Sequence, residues 1–191
     1  MGMDRILLVS DVRDQPALTA LLRQAGHSAI DCAASGGEAR RRLAEGNYTL
    51  VLINAPLSDE FGRDLALVCI DKTAAAVVLL AAAAQADRVS AGLEKQGVCV
   101  LAKPIGKQLL TQSLRLVMAA STRLQALEKR NRQLTRKLEN IQYIGRAKCA
   151  LIQYRGMTEP QAHHYIEQMA MDNRVTARDI AADILHTFED E

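Results

Sequence analysis

Five short apolar runs, each followed by a polar or amphipathic stretch, occupy residues 5–105 and limit what this chain can fold into more than any other feature. The runs are Arg5–Ser10, Ser28–Ala33, Tyr48–Ile53, Val77–Leu80 and Val98–Ala102. They are the length of strands, and they are too continuous to leave one face in water. Strands of that kind need helices on both faces of a parallel sheet. The intervening stretches supply them. Gln15–Ala25 places Leu18, Leu21 and Leu22 at helical spacing and is stopped by Gly26; Gly36–Gly37 opens a helix around Ala39–Glu45; Leu65–Ile70 and Arg88–Lys95 complete the set. The pattern predicts a doubly wound, five-stranded α/β domain with a ligand crevice at the carboxyl ends of its strands.

The strand signal stops near Gly106, and no Gly or Pro occurs between Lys107 and Ile144. Apolar and small residues then recur at alternating steps of three and four from residue 110 to residue 141. Leu124, Asn131 and Leu138 take position a of a heptad, and Leu127, Leu134 and Ile141 take position d. This spacing predicts a parallel coiled-coil dimer through residues 110–141. Arg123 at g would face Glu128 at e, and Asn131 would set the register because two facing amides pair only when aligned. The alternative is that the stripe packs back on its own domain. Beyond it, Gly156 can end the long helix, and Thr158-Glu159-Pro160-Gln161 is a capping box for the next. Thr176 can cap a last helix with an apolar face of Ile180, Ala181, Ile184, Leu185 and Phe188. The tail is predicted to be a small three-helix bundle, with Met157, Met169 and Met171 filling its core.

Composition removes several classes of function. Aromatic residues are 3% of the chain and Trp is absent, which disfavours a single-strand binder lined by aromatic rings. No apolar run reaches the roughly 18 residues of a membrane span. No cleavable secretory pattern begins the chain, where Asp4 and Asp11 flank a short apolar core, and the four scattered cysteines read as reduced thiols of a cytoplasmic protein. The net charge of +2 is unevenly spread: residues 123–148 carry eight basic side chains against two acidic, and residues 157–191 carry eight acidic against two basic. The basic stretch is either a solvated helix face or a surface for a polyanion. His163 and Glu167 sit at i and i+4, but two groups do not make a metal site and read as helix surface. No P-loop, dinucleotide fingerprint or hydrolase motif occurs, so no catalysis, cofactor or metal is expected.

ILLVSD at the first run, SGGEA, YTLVLINAPLSDEFG around the third and VLAKP at the fifth make residues 4–120 resemble a response-regulator receiver domain, a flavodoxin-like fold. The resemblance implies an acidic pair for Mg²⁺ after strand 1, a phosphoacceptor Asp after strand 3 and a Ser or Thr after strand 4. Here those positions hold Ser10-Asp11, Asn54 and Ala81. An amide is not a nucleophile, so Asn54 cannot form an acyl phosphate. Asp11 alone is a poor remnant of a site for a hard divalent cation. The domain is therefore expected to be a pseudo-receiver, with Lys103 left to pair with Asp11 or Asn54.

Residues 130–188 resemble the ANTAR family, the RNA-binding output domains of transcription antitermination regulators. The matching residues are Ile144, Ala147-Lys148, Leu151-Ile152, Ala162, Ile166, Ala170-Met171, Arg174-Val175 and Asp179-Ile180-Ala181, with Cys149 where a Gly is usual. The order pseudo-receiver, coiled coil, ANTAR is similar to the antiterminators of amidase and nitrate-assimilation operons. Expected divisions are residues 1–106 for the receiver-like core, 107–142 for its last helix continuing into the coiled coil, and 143–191 for the ANTAR module. The resemblance implies a homodimer that binds the hairpin loops of an RNA leader, with a ligand-sensing protein partner as its input. Ala147 and Lys148 are the expected RNA-binding residues, with Arg146, Arg155 and Arg174 as electrostatic contributors. Competing readings are a protein-interaction adaptor without nucleic acid and a DNA-binding response regulator, the latter lacking a recognisable helix-turn-helix.

Overall fold

The computed structural model describes residues 5–189. Asp4 and the outermost limits of the expected divisions, residues 1 and 191, lie outside the described residues. In chain order the elements are β1 (Arg5–Val9), α1 (Gln15–Gln24), β2 (Ala29–Ala33), α2 (Gly36–Glu45), β3 (Leu50–Asn54), α3 (Arg63–Lys72), β4 (Ala76–Ala82), α4 (Ala83–Leu93), β5 (Val98–Lys103), α5 (Lys107–Arg155), α6 (Glu159–Asn173) and α7 (Ala177–Glu189). A short 3₁₀ turn, Glu94–Gln96, joins α4 to β5. The chain divides into two compact units between Gln125 and Ala126.

The first unit is the expected doubly wound sheet, with strand order β2-β1-β3-β4-β5 and every neighbouring pair parallel. Successive strand side chains point to opposite faces, so each apolar run feeds two cores at once. Leu7, Val9, Val51, Ile53, Val77 and Leu79 pack with Leu65, Ala66 and Leu93 of α3 and α4. Ile6, Leu8, Leu50, Leu52, Val78 and Leu80 pack with Leu22 of α1 and with Leu110 and Leu114 of α5. All of β3 is buried, as the central strand of such a sheet must be.

Helix α2 opens at Gly36–Gly37 as expected, whereas α4 begins earlier than the expected Arg88–Lys95 stretch. Helix α2 starts at Gly36 because the Ser35 hydroxyl accepts the Glu38 N–H at 3.1 Å and caps it. Helix α4 starts at Ala83, directly after β4, because an alanine run has the highest intrinsic helix preference. Gly62 precedes α3 with φ +101°, and a Cβ there would lie 2.9 Å from the Ile53 side chain. That position needs glycine both for its backbone and for its contact.

Helix α5 is continuous for 49 residues, and its stripe serves two different purposes. Leu110 and Leu114 are almost wholly buried against the sheet, and Val117 and Met118 pack beside them. The first turns of the expected dimer seam thus pack on their own domain, which corrects the start of the 110–141 coiled coil. From Leu124 onward the stripe is open: Leu124 is 60% exposed and Leu138 62%, and Leu127, Leu134 and Ile141 are similarly exposed.

In the second unit the end of α5 closes a core with α6 and α7. Ala147, Ala150 and Leu151 meet Ala162, Ile166 and Ala170 of α6 and Ile180, Ala181 and Leu185 of α7. Small residues on all three helices let the backbones approach closely. The helix punctuation is as expected. Gly156 takes φ +63° after Arg155, and the Thr158 N–H donates to Gln161 Oε1 at 2.9 Å. The Thr176 hydroxyl accepts the Asp179 N–H at 3.2 Å, while Asp179 Oδ2 accepts the Thr176 N–H at 3.0 Å. One core assignment is corrected: Met157 and Met169 pack against this core, but Met171 is 72% exposed because it follows Ala170 onto the outer face of α6. Among the described residues no helix is long and apolar enough to cross a membrane, and the four cysteines are free.

Candidate functional site

At the carboxyl ends of β1, β3 and β5 the sheet brings Ser10, Asn54 and Lys103 together. The Asn54 amide nitrogen donates to Ser10 Oγ at 3.0 Å and to Asp14 Oδ2 at 3.1 Å. The Lys103 ammonium donates to Asn54 Oδ1 at 2.8 Å and to the Ala55 carbonyl at 2.6 Å. Both amide hydrogens and the amide oxygen are therefore satisfied, as a side chain only 5% exposed requires. Burial draws the Lys103 ammonium below its ordinary pKa, and the nearby Asp14 carboxylate opposes that pull. Ala81, near the end of β4, is buried and supplies no hydroxyl.

Asp11, the one acid expected to remain of the metal pair, belongs elsewhere. It accepts the Arg13 backbone N–H at 3.0 Å and the Arg13 guanidinium at 3.1 Å, which hold its carboxyl below the usual range. Among the described residues no three His, Cys, Asp or Glu side chains are grouped to hold a metal ion. The loop after β3 is also tied down. Asp59 accepts the Gly36 and Gly37 N–H groups at 2.8 and 2.9 Å, capping α2 from outside, and these bonds lower its pKa. Glu60 receives both terminal nitrogens of Arg40, at 2.7 and 3.0 Å. Sequence reasoning missed Asp14, Asp59 and Glu60. The only local hints are an acid four residues after Ser10 and the acidic pair in SDEFG.

In the second unit the expected residues separate by burial. Ala147 is fully buried in the three-helix core, so its methyl group packs helices and cannot touch a ligand at the surface. Lys148 follows it on the helix rim, three-quarters covered, with its ammonium 2.5 Å from Glu159 Oε1 at the start of α6. Arg155, in the last turn of α5, lines a groove of about 540 Å³ together with Leu151, Asp183, Ile184 and Phe188. Arg174 is exposed at the end of α6 in a left-handed conformation, φ 55°. Arg146 is exposed on α5. His163 and Glu167 form a surface pair at 3.4 Å.

The ANTAR domain model matches residues 132–185. The transcriptional regulatory protein PdtaR of Mycobacterium tuberculosis, in strains CDC 1551 and H37Rv, is 30% identical over 171 residues, spanning 90% of this chain and 83% of that protein. The chain belongs to the ANTAR family of transcriptional regulators. It is of the antiterminator type, with a receiver-like domain ahead of the ANTAR domain. Among solved structures, the CheY-like receiver domain protein of Methanospirillum hungatei JF-1 aligns with a TM-score of 0.56 at 18% identity, covering 64% of this chain and 98% of that one. A receiver domain protein of Clostridium thermocellum aligns with a TM-score of 0.57 at 22% identity, covering 63% and 98%. These likenesses concern the fold alone. The receiver domain of a sensor histidine kinase from Pseudomonas aeruginosa PAO1 has a TM-score of 0.52 at 26% identity, covering 62% and 99%, and holds a magnesium ion in its active-site cleft.

In this ANTAR regulator the corresponding end of the sheet holds a closed amide–ammonium network. Its hydrogen bonds join residues as far as 49 positions apart in the chain and pin three strand ends to one another. Replacing Lys103 by Met keeps the bulk and removes both donors, leaving Asn54 Oδ1 and the Ala55 carbonyl unmet. Urea denaturation of Lys103→Met is expected to show a loss of about 1–3 kcal/mol, the usual result of orphaning a buried acceptor. Unchanged stability would show that the ammonium is not part of the fold's support.

Proposed function

We propose that the protein is an RNA-binding transcription antitermination regulator that acts as a homodimer in the cytoplasm, has no catalytic activity, and is controlled by a protein partner rather than by phosphorylation. The observation that carries this reading is the pairing of an ANTAR domain with a receiver-like fold that has an amide, Asn54, at the acceptor position. In the working division, residues 1–106 receive the partner, 107–142 pair the chains and 143–191 bind RNA. RNA loops are read through unstacked bases and backbone contacts, which a small helical module with basic side chains can supply. Lys148, Arg146, Arg155 and Arg174 are the proposed contacts, and buried Ala147 supports them from within. A ligand-sensing protein would hold the dimer inactive and release it on binding its ligand.

The Lys148–Glu159 pair does not oppose this role. Glu159 is well exposed, and surface ion pairs contribute only about 0–1 kcal/mol, so an RNA phosphate can replace the carboxylate at small cost. Matched RNA and DNA hairpins measured over a salt series test the reading. The RNA is expected to bind more tightly, and Lys148→Ala is expected to lower the salt slope by about one with no change in thermal stability. An unchanged slope with lowered stability would make Lys148 a packing residue. No RNA binding by the wild type would favour the adaptor reading.

The dimer is proposed to form along Leu124, Leu127, Asn131, Leu134, Leu138 and Ile141, whose exposure leaves an apolar seam uncovered in the single chain. A carboxylate at a d position would be buried against its own copy. Leu134→Asp is therefore expected to sediment as a monomer at micromolar concentration, where the wild type is a dimer. Identical sedimentation of the two proteins would remove the seam as the interface.

A further inference from the structure

Four of the basic residues of α5 share one face, and none of the four is at an a or d position of the coiled-coil seam. With Leu124 at a, Lys129 and Arg136 fall at f, and Arg130 and Lys137 at g. All four are exposed, and none has an ion-pair partner among the described residues. The c positions between them on the helix surface hold Ala126, Gln133 and Asn140, so the c/f/g face carries no acid. The two acids of this stretch lie outside that face, Glu139 on its border one turn from Arg136. Glu128 at e pairs with Arg132 at 3.3 Å, and Glu139 is at b. Dimerisation would not neutralise the stripe either. In the parallel pairing proposed above, Arg130 and Lys137 would meet Thr135 and Gln142 of the other copy, which are uncharged.

Four cations within nine residues lie along about 12 Å of helix, within about one Debye length of one another at moderate salt. Like charges held that close repel, and a coiled coil does not need them there. A polyanion relieves the repulsion. We infer that the stripe of Lys129, Arg130, Arg136 and Lys137 on α5 is a second RNA contact, which grips the phosphate backbone of a duplex stem without reading its sequence. This rests on the RNA-binding reading above and extends it from the loop to the stem. Long flexible cations on a smooth helix face supply charge and no directed base contacts, which suits a backbone and not base edges. The stripe's acid-free surface also matches RNA better than it matches a protein partner, which would bring acids to pair and apolar groups to bury.

The test uses the full chain and two probes, a hairpin with a single-stranded loop and a short blunt-ended RNA duplex with no loop. The wild type is expected to bind both. The variant Lys129→Gln/Arg130→Gln/Arg136→Gln/Lys137→Gln is expected to keep its helicity and oligomeric state and to lose about three to four from the salt slope for the duplex. That loss makes its affinity about a hundredfold less sensitive to a rise from 50 to 200 mM salt. The f-position pair alone, Lys129→Gln/Arg136→Gln, leaves every g residue in place and is expected to lose about two. An unchanged duplex slope in both variants overturns the inference. So does a wild type that binds the hairpin but not the duplex, an outcome that leaves the loop reading standing, whereas failure on both probes removes that reading as well. Preference for polyglutamate over the duplex at equal charge would assign the stripe to an acidic protein and overturn the RNA assignment.

Discussion

An amide buried at the mouth of a parallel sheet destabilises the fold by several kcal/mol unless all of its donors and its acceptor are met. Asn54 meets that condition through three separate segments: Ser10 at the end of β1, Asp14 in the turn before α1, and Lys103 at the end of β5. The ammonium also holds the Ala55 carbonyl, so the first turn of the β3–α3 loop is fixed by the same group. Asp59 and Glu60 then tether the rest of that loop to α2. The carboxyl ends of β1, β3 and β5 are thus cross-linked by their own side chains. What a divalent cation and a carboxylate cluster would organise is organised here by one lysine and one amide.

The long helix carries the second constraint. The heptad spacing of α5 covers residues 110–141 only, and the helix meets different surroundings along its length. Leu110 and Leu114 complete the sheet core, the residues from Leu124 to Ile141 face outward, and Ala147 to Leu151 close the three-helix core. A helix without Gly or Pro between its first turn and Ile144 has no built-in break at which one role could stop and the next begin. The division of labour is set by what each turn packs against. In the proposed mechanism, a partner acting on the receiver-like unit would need to alter only how the exposed seam is used.

The sheet was legible in the sequence because strands buried on both faces leave uninterrupted apolar runs, and all five appear where those runs lie. The three-helix core was legible from its caps and spacing, and the ANTAR resemblance matched the family the chain belongs to. The start of α4 was less so, because that helix begins inside an alanine run that carries no periodicity. The polar network was only half visible. Asn54 and Lys103 stood out as departures or remnants of a motif, but Asp14 joins them across 40 residues through a contact no local pattern encodes. Ala147 shows the converse error, since a motif position reveals that a residue matters without revealing whether it faces solvent or core. Met171 fails for the same reason, one step along the helix from a buried neighbour.

We propose that in the receiver-like unit the Asn54–Lys103 network takes the place of phosphoryl chemistry. Intact-mass measurement of the purified protein after incubation with acetyl phosphate and Mg²⁺ tests it directly. The expected result is an unchanged mass, with or without Mg²⁺. A Mg²⁺-dependent phosphoryl adduct on the receiver-like unit would contradict it.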